Sequence, residues 1–284
     1  ISAVSGKSFM EKAKKFETDI AGRKLTFETG LLAGQANASI TARYGDTVVL
    51  ATVVMSPEAR EGMNYFPLMV DYEEKFYASG KIKGSRFIKR EGRPTDEAIL
   101  NGRLIDRTLR PLFDQRMRNE VQVIITVLSI DQENDPAPIG ALAASAALSI
   151  SDIPWNGPIG VVRIGEKEGQ PIINPTNGDL ENSSFDILAC GTEGKINMIE
   201  AEAKEIPEDE MLKGLIESQK TIDQLTGFIK QMQKDIGKPK AESAFLQAEE
   251  SFRKEILNAF GEKIQPALFE KEHDLQEEKQ RILF

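Results

Sequence analysis

The sequence has very few of the residues that build cross-linked folds or nucleophilic active sites. Among 284 residues there is one cysteine, Cys190, and one histidine, His273. A lone cysteine allows no disulfide within the chain, and the two residues leave no Cys/His cluster for zinc. They also leave no Ser/His/Asp or Cys/His catalytic set. Disulfide scaffolds, zinc-cluster proteins and triad hydrolases are therefore excluded as classes.

Long apolar stretches are also absent. No run approaches the roughly 20 apolar residues that cross a bilayer, and the N-terminus lacks the basic-then-apolar pattern of a secretory signal. The composition, with 40% hydrophobic and 29% charged residues, is that of an ordinary globular protein. We therefore expect a cytoplasmic protein with no membrane partner, folded as one large or two modest domains.

Negative charge dominates the chain, but it is unevenly spread. The chain has 36 Lys and Arg against 45 Asp and Glu, for a net charge of −9. Residues 75–118 hold 12 of these cations and five of the anions, so this segment carries +7 and the remainder −16. A focused positive segment can attract a polyanion despite the negative total, although a solvated basic helix and loop would have the same composition.

Residues 25–200 have the pattern of strands and short helices separated by turns. Helices are predicted from a cap at Thr95 to about residue 110 or 112, and over 138–149, where small residues follow a proline. Strands are predicted at 25–28, 36–42, 47–55, 66–72, 121–130, 159–164, 171–174, 185–190 and 195–200. The run 121–130 is apolar almost throughout, which predicts a central strand covered on both faces. The irregular alternation favours an α+β domain of two or three layers over a doubly wound parallel sheet.

The pattern changes at Pro207. From residue 208 onwards strand signals vanish, and apolar residues recur at helical spacing between Glu, Lys and Gln. We therefore divide the chain into an α+β core, residues 1–205, and a small all-α domain, residues 206–284.

The loop at 81–93 combines cations, glycines and one aromatic residue. Bases of single-stranded nucleic acid stack on aromatic rings while cations follow the phosphates, so this pattern favours RNA contact. The alternative is that Phe87 only anchors the loop. The candidate RNA-binding residues of the loop are Arg86, Phe87, Lys89, Arg90 and Arg93.

The helix that follows adds three more candidates. At 100° per residue, Arg103, Arg107 and Arg110 fall on one stripe, opposite a stripe of small and apolar residues. A nucleic-acid backbone would supply the anions that three guanidinium groups need. Ordinary ion pairs with Asp106 and Asp114 are the alternative.

These segments resemble the polynucleotide phosphorylase family. The similarity to the first ribonuclease-PH-like core of that family holds in order and spacing, and the helical region lies where the family has its all-α linker domain. The matching segments are 28–30, 78–82, 89–94, 103–113, 119–123, 153–160, 174–176 and 191–193. The resemblance implies a ribonuclease-PH-like core, of the ribosomal protein S5 domain 2-like class, followed by the helical domain.

The resemblance also implies an activity. Members degrade RNA from its 3′ end in mRNA turnover, with inorganic phosphate as co-substrate and Mg²⁺ as cofactor, and release nucleoside diphosphates. They form trimeric rings that bind single-stranded RNA, and they have degradosome-type protein partners. Because the chain begins at Ile1 without Met and ends within a helical pattern, we expect it to be the N-terminal portion of such an enzyme.

The RNA-gripping loop of the family is altered in this sequence. Ile88 stands where the family has a second aromatic residue, Lys89 stands at the first arginine, and Arg86 looks inserted. We therefore expect weaker base stacking with retained phosphate contacts.

The catalytic features of the family's second core are missing here. The stretch 134–138 has two prolines and Asp135 where the active core has a Ser-rich phosphate-binding turn, and Leu188 replaces a lysine. We therefore assign no catalytic residue and no metal ligand to this chain, and expect Mg²⁺ only in the complete enzyme.

Two alternatives stay open. The chain could be a stand-alone RNA-binding or scaffold protein without activity. It could instead be a self-sufficient exoribonuclease that holds a metal ion between Asp179 and Asp186.

Overall fold

The computed structural model describes residues 13–59, 62–82, 92–242 and 249–269, together with residues 275, 277 and 281. These residues form a mixed α+β structure, and the chain divides into two compact units, residues 1–244 and 245–284. The strands are β1 Lys14–Ile20, β2 Arg23–Thr29, β3 Ala38–Tyr44, β4 Thr47–Ala59, β5 Leu68–Glu74, β6 Asn119–Ser129, β7 Gly160–Lys167, β8 Gln170–Ile173, β9 Phe185–Thr192 and β10 Lys195–Ala203. The α-helices are α1 Asp96–Leu109, α2 Pro136–Ile150, α3 Asn177–Glu181, α4 Glu208–Ile236 and α5 Glu250–Leu268.

The first sheet has six strands in the order β1-β2-β3-β4-β6-β5. All neighbours are antiparallel except β5, which runs parallel to β6 at one edge. The predicted strands 36–42 and 47–55 form a hairpin as β3 and β4, joined at the turn around Gly45, with Tyr44 paired to Thr47. This sheet places β5, the strand beside the basic segment, at an open edge.

Strand β6 is central, as predicted, but only one of its faces is fully covered. Val121, Val123, Ile125 and Val127 are buried, while the residues between them are half-buried. The prediction of cover on both faces is therefore wrong among the described residues. An apolar run cannot distinguish a strand with one half-buried face from one that is buried on both.

Helix α2 packs against the buried face of this sheet. All but one of its 15 residues are buried. Its small side chains let it approach closely, and a Cβ atom at Gly140 would lie 2.7 Å from Cγ2 of Ile125 on β6. The buried Ser145 hydroxyl donates to the carbonyl of Ile159 and accepts from its N–H. The predicted small-residue helix is thus confirmed as the centre of the core.

The second sheet has four antiparallel strands in the order β10-β9-β7-β8. One of its faces looks towards α1 and α2, and the other is covered by α4. Helix α2 lies between the two sheets, α1 packs on β5 and reaches β10, and α4 packs on the second sheet and on α2. Side chains along β7 and β9 alternate between the two faces of this sheet. Every second side chain therefore points into the space beside α2.

Helix α4 belongs to the same compact unit as the core. Its apolar stripe packs on β7, β9 and α2, with Ile222, Leu225, Ile229 and Met232 fully buried. The structure therefore divides the chain after residue 244, whereas the sequence prediction divided it after residue 205. The stripe predicts that the helix needs an apolar partner, but it does not identify that partner. Helix α5 lies in the second unit, and no described helix is both long and apolar enough to span a membrane.

Candidate functional site

Helix α1 is the element that presents the predicted arginines. Thr95 caps it by accepting a hydrogen bond from Ala98 N–H at 3.1 Å, and Asp96 and Glu97 occupy the first turn, where carboxylates offset the helix dipole. The apolar stripe packs against β5, and the Cα of Gly102 lies close to the carbonyl of Val70. The predicted start and buried face of this helix are confirmed.

Arg103 and Arg107 lie on the opposite, exposed side of α1. Neither makes an ion pair with another described residue. Both line a groove of about 650 Å³ between α1 and the open edge of β5, whose other walls include Asp71 and Pro94. Two free guanidinium groups one turn apart beside an open groove can bind successive phosphates of a polyanion.

Arg110 lies on the same stripe but has fixed partners. Its Nε and Nη2 atoms donate to both carboxylate oxygens of Asp106 at 2.5 Å, and Nη2 also donates to the Leu68 carbonyl at 3.1 Å. The ion-pair alternative considered from the sequence therefore applies to this arginine. Its guanidinium joins the end of α1 to the start of β5, and it also lines the groove that Arg103 and Arg107 border.

The remaining basic candidates divide into two groups. Arg93 is exposed and lines a second groove of about 640 Å³, which shares Tyr72, Pro94 and Ala98 with the first. The two grooves are therefore continuous along the start of α1. Arg86, Phe87, Lys89 and Arg90 lie outside the described residues.

An acidic cleft of about 640 Å³ lies where α1, the start of α2 and the second sheet meet. Five carboxylate side chains line it, against a single cation, Arg163. The carboxylates are those of Glu97, Asp135, Asp186, Glu200 and Glu202. This cleft is lined by Asp135, Pro136 and Leu188, positions at which the sequence differs from the family's active core.

Arg163 is bound on two sides within the cleft. Its Nε donates to Asp186 Oδ1 at 2.8 Å, Nη2 donates to the other oxygen of the same carboxylate, and Nη1 donates to Asp135 Oδ2 at 2.5 Å. The hydrogen bonds to Asp186 are the largest cause that raises the pKa of the guanidinium, which stays charged although its side chain is only 27% exposed. Both carboxylate oxygens of Asp186 therefore accept from the planar guanidinium group of Arg163.

The N-terminus of α2 offers no anion site. Asp135 caps the helix by accepting from Ala137 N–H at 2.9 Å, and Pro136 and Pro138 have no N–H group. The free amide donors that bind phosphate at a helix start are thus missing.

Asp179 and Asp186 are each paired with a different cation. Asp179 accepts from Lys167 Nζ at 2.9 Å and from the hydroxyl and N–H of Thr176, the cap of α3, and these bonds lower its pKa to about 2. Each aspartate therefore has its own cation. Among the described residues no group of three or more His, Cys, Asp or Glu side chains is arranged to hold a metal ion.

Cys190 is a core residue of β9. It is completely buried, and burial raises the pKa of its thiol to about 12, so it is an unreactive thiol at neutral pH. His273 lies outside the described residues.

Arg163 is the residue that the sequence reading missed. Its signal was an arginine in the otherwise apolar strand segment 161–164, since a charged residue in a buried strand needs a partner. The identity of the partners could not be read from the sequence. They lie 28 and 23 positions away along the chain.

Two family models match the chain in succession. The model of the 3′ exoribonuclease family, domain 1, matches residues 21–154, and that of domain 2 matches residues 157–220. Together they cover every strand of the two sheets except β1, and the first part of α4.

Curated relatives extend this similarity. The chain is 54% identical over 222 residues to the polyribonucleotide nucleotidyltransferase of Chloroflexus aggregans, covering 78% of this chain and 29% of the relative. It is 44% identical over 277 residues to the enzyme of the same name from Caldicellulosiruptor saccharolyticus, covering 96% of this chain and 39% of the relative. The chain thus spans about a third of the length of these relatives.

A solved structure supports the fold. The crystal structure of rice Rrp46 superposes with a TM-score of 0.60 at 16% identity, over 74% of this chain and 94% of that one. At this identity the similarity concerns the fold alone.

Proposed function

Because this chain belongs to the 3′ exoribonuclease family, we propose that it is the first, non-catalytic ribonuclease-PH-like core of a polyribonucleotide nucleotidyltransferase. Its part in the reaction is to bind single-stranded RNA and to contribute to ring assembly. Catalysis belongs to a second core of the complete enzyme.

The proposed reaction of the complete enzyme is reversible phosphorolysis. Inorganic phosphate attacks the terminal phosphodiester at the 3′ end of RNA, and a nucleoside diphosphate leaves. Mg²⁺ assists in the second core, the assembly is a homotrimer, and the biological process is mRNA degradation with degradosome-type partners. These features come from the family resemblance, and the relatives' shared name supports the nucleotidyl transfer.

The observation that carries the RNA-binding proposal is the exposed pair Arg103 and Arg107. They are one helical turn apart, they border an open groove, and the described structure gives them no carboxylate partner. Phosphate contacts of this kind position a strand without reading its sequence. We therefore propose that RNA lies along the groove between α1 and β5, continuing past Arg93.

The test is binding of single-stranded RNA by the variant Arg103→Ala plus Arg107→Ala. Loss of two phosphate contacts should weaken binding roughly tenfold and reduce the slope of log affinity against log salt by about 1.4, at about 0.7 per phosphate for single strands. Fluorescence anisotropy over a series of salt concentrations measures both quantities.

The matched control is Lys24→Ala plus Arg43→Ala, which removes two exposed cations from β2 and β3, away from the groove. It changes the net charge by the same amount and should leave the salt slope unchanged. Equal losses of RNA affinity in both variants would show that binding depends only on net charge, and the groove would then not be the binding site.

A further inference from the structure

The acidic cleft holds a cation that belongs to the protein itself. The guanidinium of Arg163 lies between Asp186 on β9 and Asp135 at the start of α2, and it donates to both. Arg163 and Asp186 lie on neighbouring strands of the second sheet, with Gly165 opposite Asp186 in the register. The bridge therefore joins the second sheet to the helix layer across the cleft.

The surroundings of this bridge would otherwise favour a free cation. With Arg163 included, the cleft has one positive and five negative side chains, a formal charge of −4. Carboxylate oxygens are the ligands that Mg²⁺ and Mn²⁺ prefer. Without the guanidinium, Asp135 and Asp186 would face each other with no compensating charge.

Mg²⁺, which the family resemblance implies for the reaction, does not fit the residues as they are. A carboxylate that binds a planar guanidinium through both oxygens already has a cation at the in-plane position that a bidentate metal ion would take. Asp186 is in that state, and Asp135 is shared between Arg163 and the Ala137 N–H. The two aspartates are thus already engaged, and among the described residues no group of three or more His, Cys, Asp or Glu side chains is arranged to hold a metal ion.

We propose that Arg163 is a built-in replacement for a divalent cation in this cleft, and that it keeps metal ions out. The inference rests on the proposed function, because a guanidinium in place of a metal ion would account for an inactive core. A fixed guanidinium neutralises the two aspartates and holds the start of α2 against the second sheet. Unlike a metal ion, it carries no exchangeable water that could be deprotonated to a nucleophile or displaced by a phosphate oxygen.

The test is Mn²⁺ binding, followed by electron paramagnetic resonance and calorimetry with Mn²⁺ alone. The whole chain should show no saturable site in the cleft. Arg163→Ala should create one site with a dissociation constant of about 10⁻⁴ to 10⁻³ M, the range of weak carboxylate sites. Adding Asp186→Asn to that variant should remove the site.

Two further variants keep the test decisive. Arg163→Gln retains the length of the side chain without its charge, so it gives the answer if Arg163→Ala does not fold, as judged by circular dichroism. Lys167→Ala removes the cation from Asp179 in an exposed pair and should create no Mn²⁺ site.

Two outcomes would overturn the inference. One is a saturable Mn²⁺ site in the unmodified chain that Asp186→Asn removes. The other is a folded Arg163→Gln variant without any Mn²⁺ site. RNA binding through Arg103 and Arg107 is measured separately, so a failure of the metal inference leaves the RNA proposal standing, and the converse also holds.

Discussion

Asp131 is the most extensively hydrogen-bonded carboxylate of the core. Its Oδ1 accepts from the N–H groups of Glu133 and Asn134, and its Oδ2 accepts from those of Asp46 and Thr47 and from the Asn134 side chain. These hydrogen bonds connect the loop after β6 to the turn between β3 and β4. Burial raises the pKa of Asp131, but these hydrogen bonds outweigh burial and hold the pKa at about 2.

We predict that Asp131→Asn destabilises the protein by about 1–2 kcal/mol at pH 7, a value reduced because the side chain is partly solvated. A carboxyl whose pKa is lowered by folding stabilises the native state above its unfolded pKa, near 3.8, and loses that effect as pH falls to about 2. The difference between variant and wild type should therefore shrink across this range. Urea unfolding at pH 7 and pH 2.5 measures it.

The control is Asp46→Asn in the same turn. The Asp46 carboxylate is 89% exposed and makes only a loose pair with Arg43, so its replacement should change stability by less than about 0.5 kcal/mol. A destabilisation by Asp131→Asn that is equally large at both pH values would contradict the role assigned to its charge.

At the residue scale, sequence reasoning found the cations and could not assign their partners. Helical spacing places Arg103, Arg107 and Arg110 on one stripe. In the structure Arg110 is paired with Asp106, one turn earlier, whereas the other two have no ion pair among the described residues. That i, i+4 pair was visible as an alternative in the sequence. The bridge from Arg163 to Asp135 depends on how α2 packs on the second sheet, which local patterns do not specify.

Close packing of α2 accounts for its many small residues. Gly140 lets the helix approach β6, where an added Cβ would lie 2.7 Å from a branched methyl group of Ile125. A Cβ atom added at Gly227 on α4 would meet no described atom within 4 Å. The two glycines provide matched tests of one substitution in two helices.

We predict opposite effects for Gly140→Ala and Gly227→Ala. Alanine favours a helix over glycine by about 1 kcal/mol, so Gly227→Ala should stabilise by up to that amount. At Gly140 the contact with Ile125 forces repacking, and the net effect should be a loss of about 1–3 kcal/mol. Chemical denaturation measures both, and a stabilising Gly140→Ala would show that the helix is not in tight contact with β6.

At the element scale, periodicity predicted most strands and both main helices of the core. It missed β1, because Lys14–Ile20 places four charged residues in seven positions, and strand signals depend on apolar residues. As an edge strand, β1 tolerates those charges on its exposed positions. Periodicity also predicted α4 as a helix, but it could not show that α4 packs on the second sheet.

At the scale of the whole molecule, charge is separated between two clefts. Arg103 and Arg107 line the groove beside β5, while the cleft around Arg163 has a surplus of carboxylates. Both clefts border α1, which has acidic residues in its first turn and arginines on its exposed side. We expect an RNA strand to be attracted to the first cleft and repelled from the second.

The central claim of the proposed function is that this core binds RNA and does not cleave it. The most direct measurement is release of nucleoside diphosphates when the chain is incubated with single-stranded RNA, inorganic phosphate and Mg²⁺, with RNA binding measured on the same sample. We predict binding without release. Release that is proportional to the chain's concentration and abolished by Asp186→Asn would contradict the account.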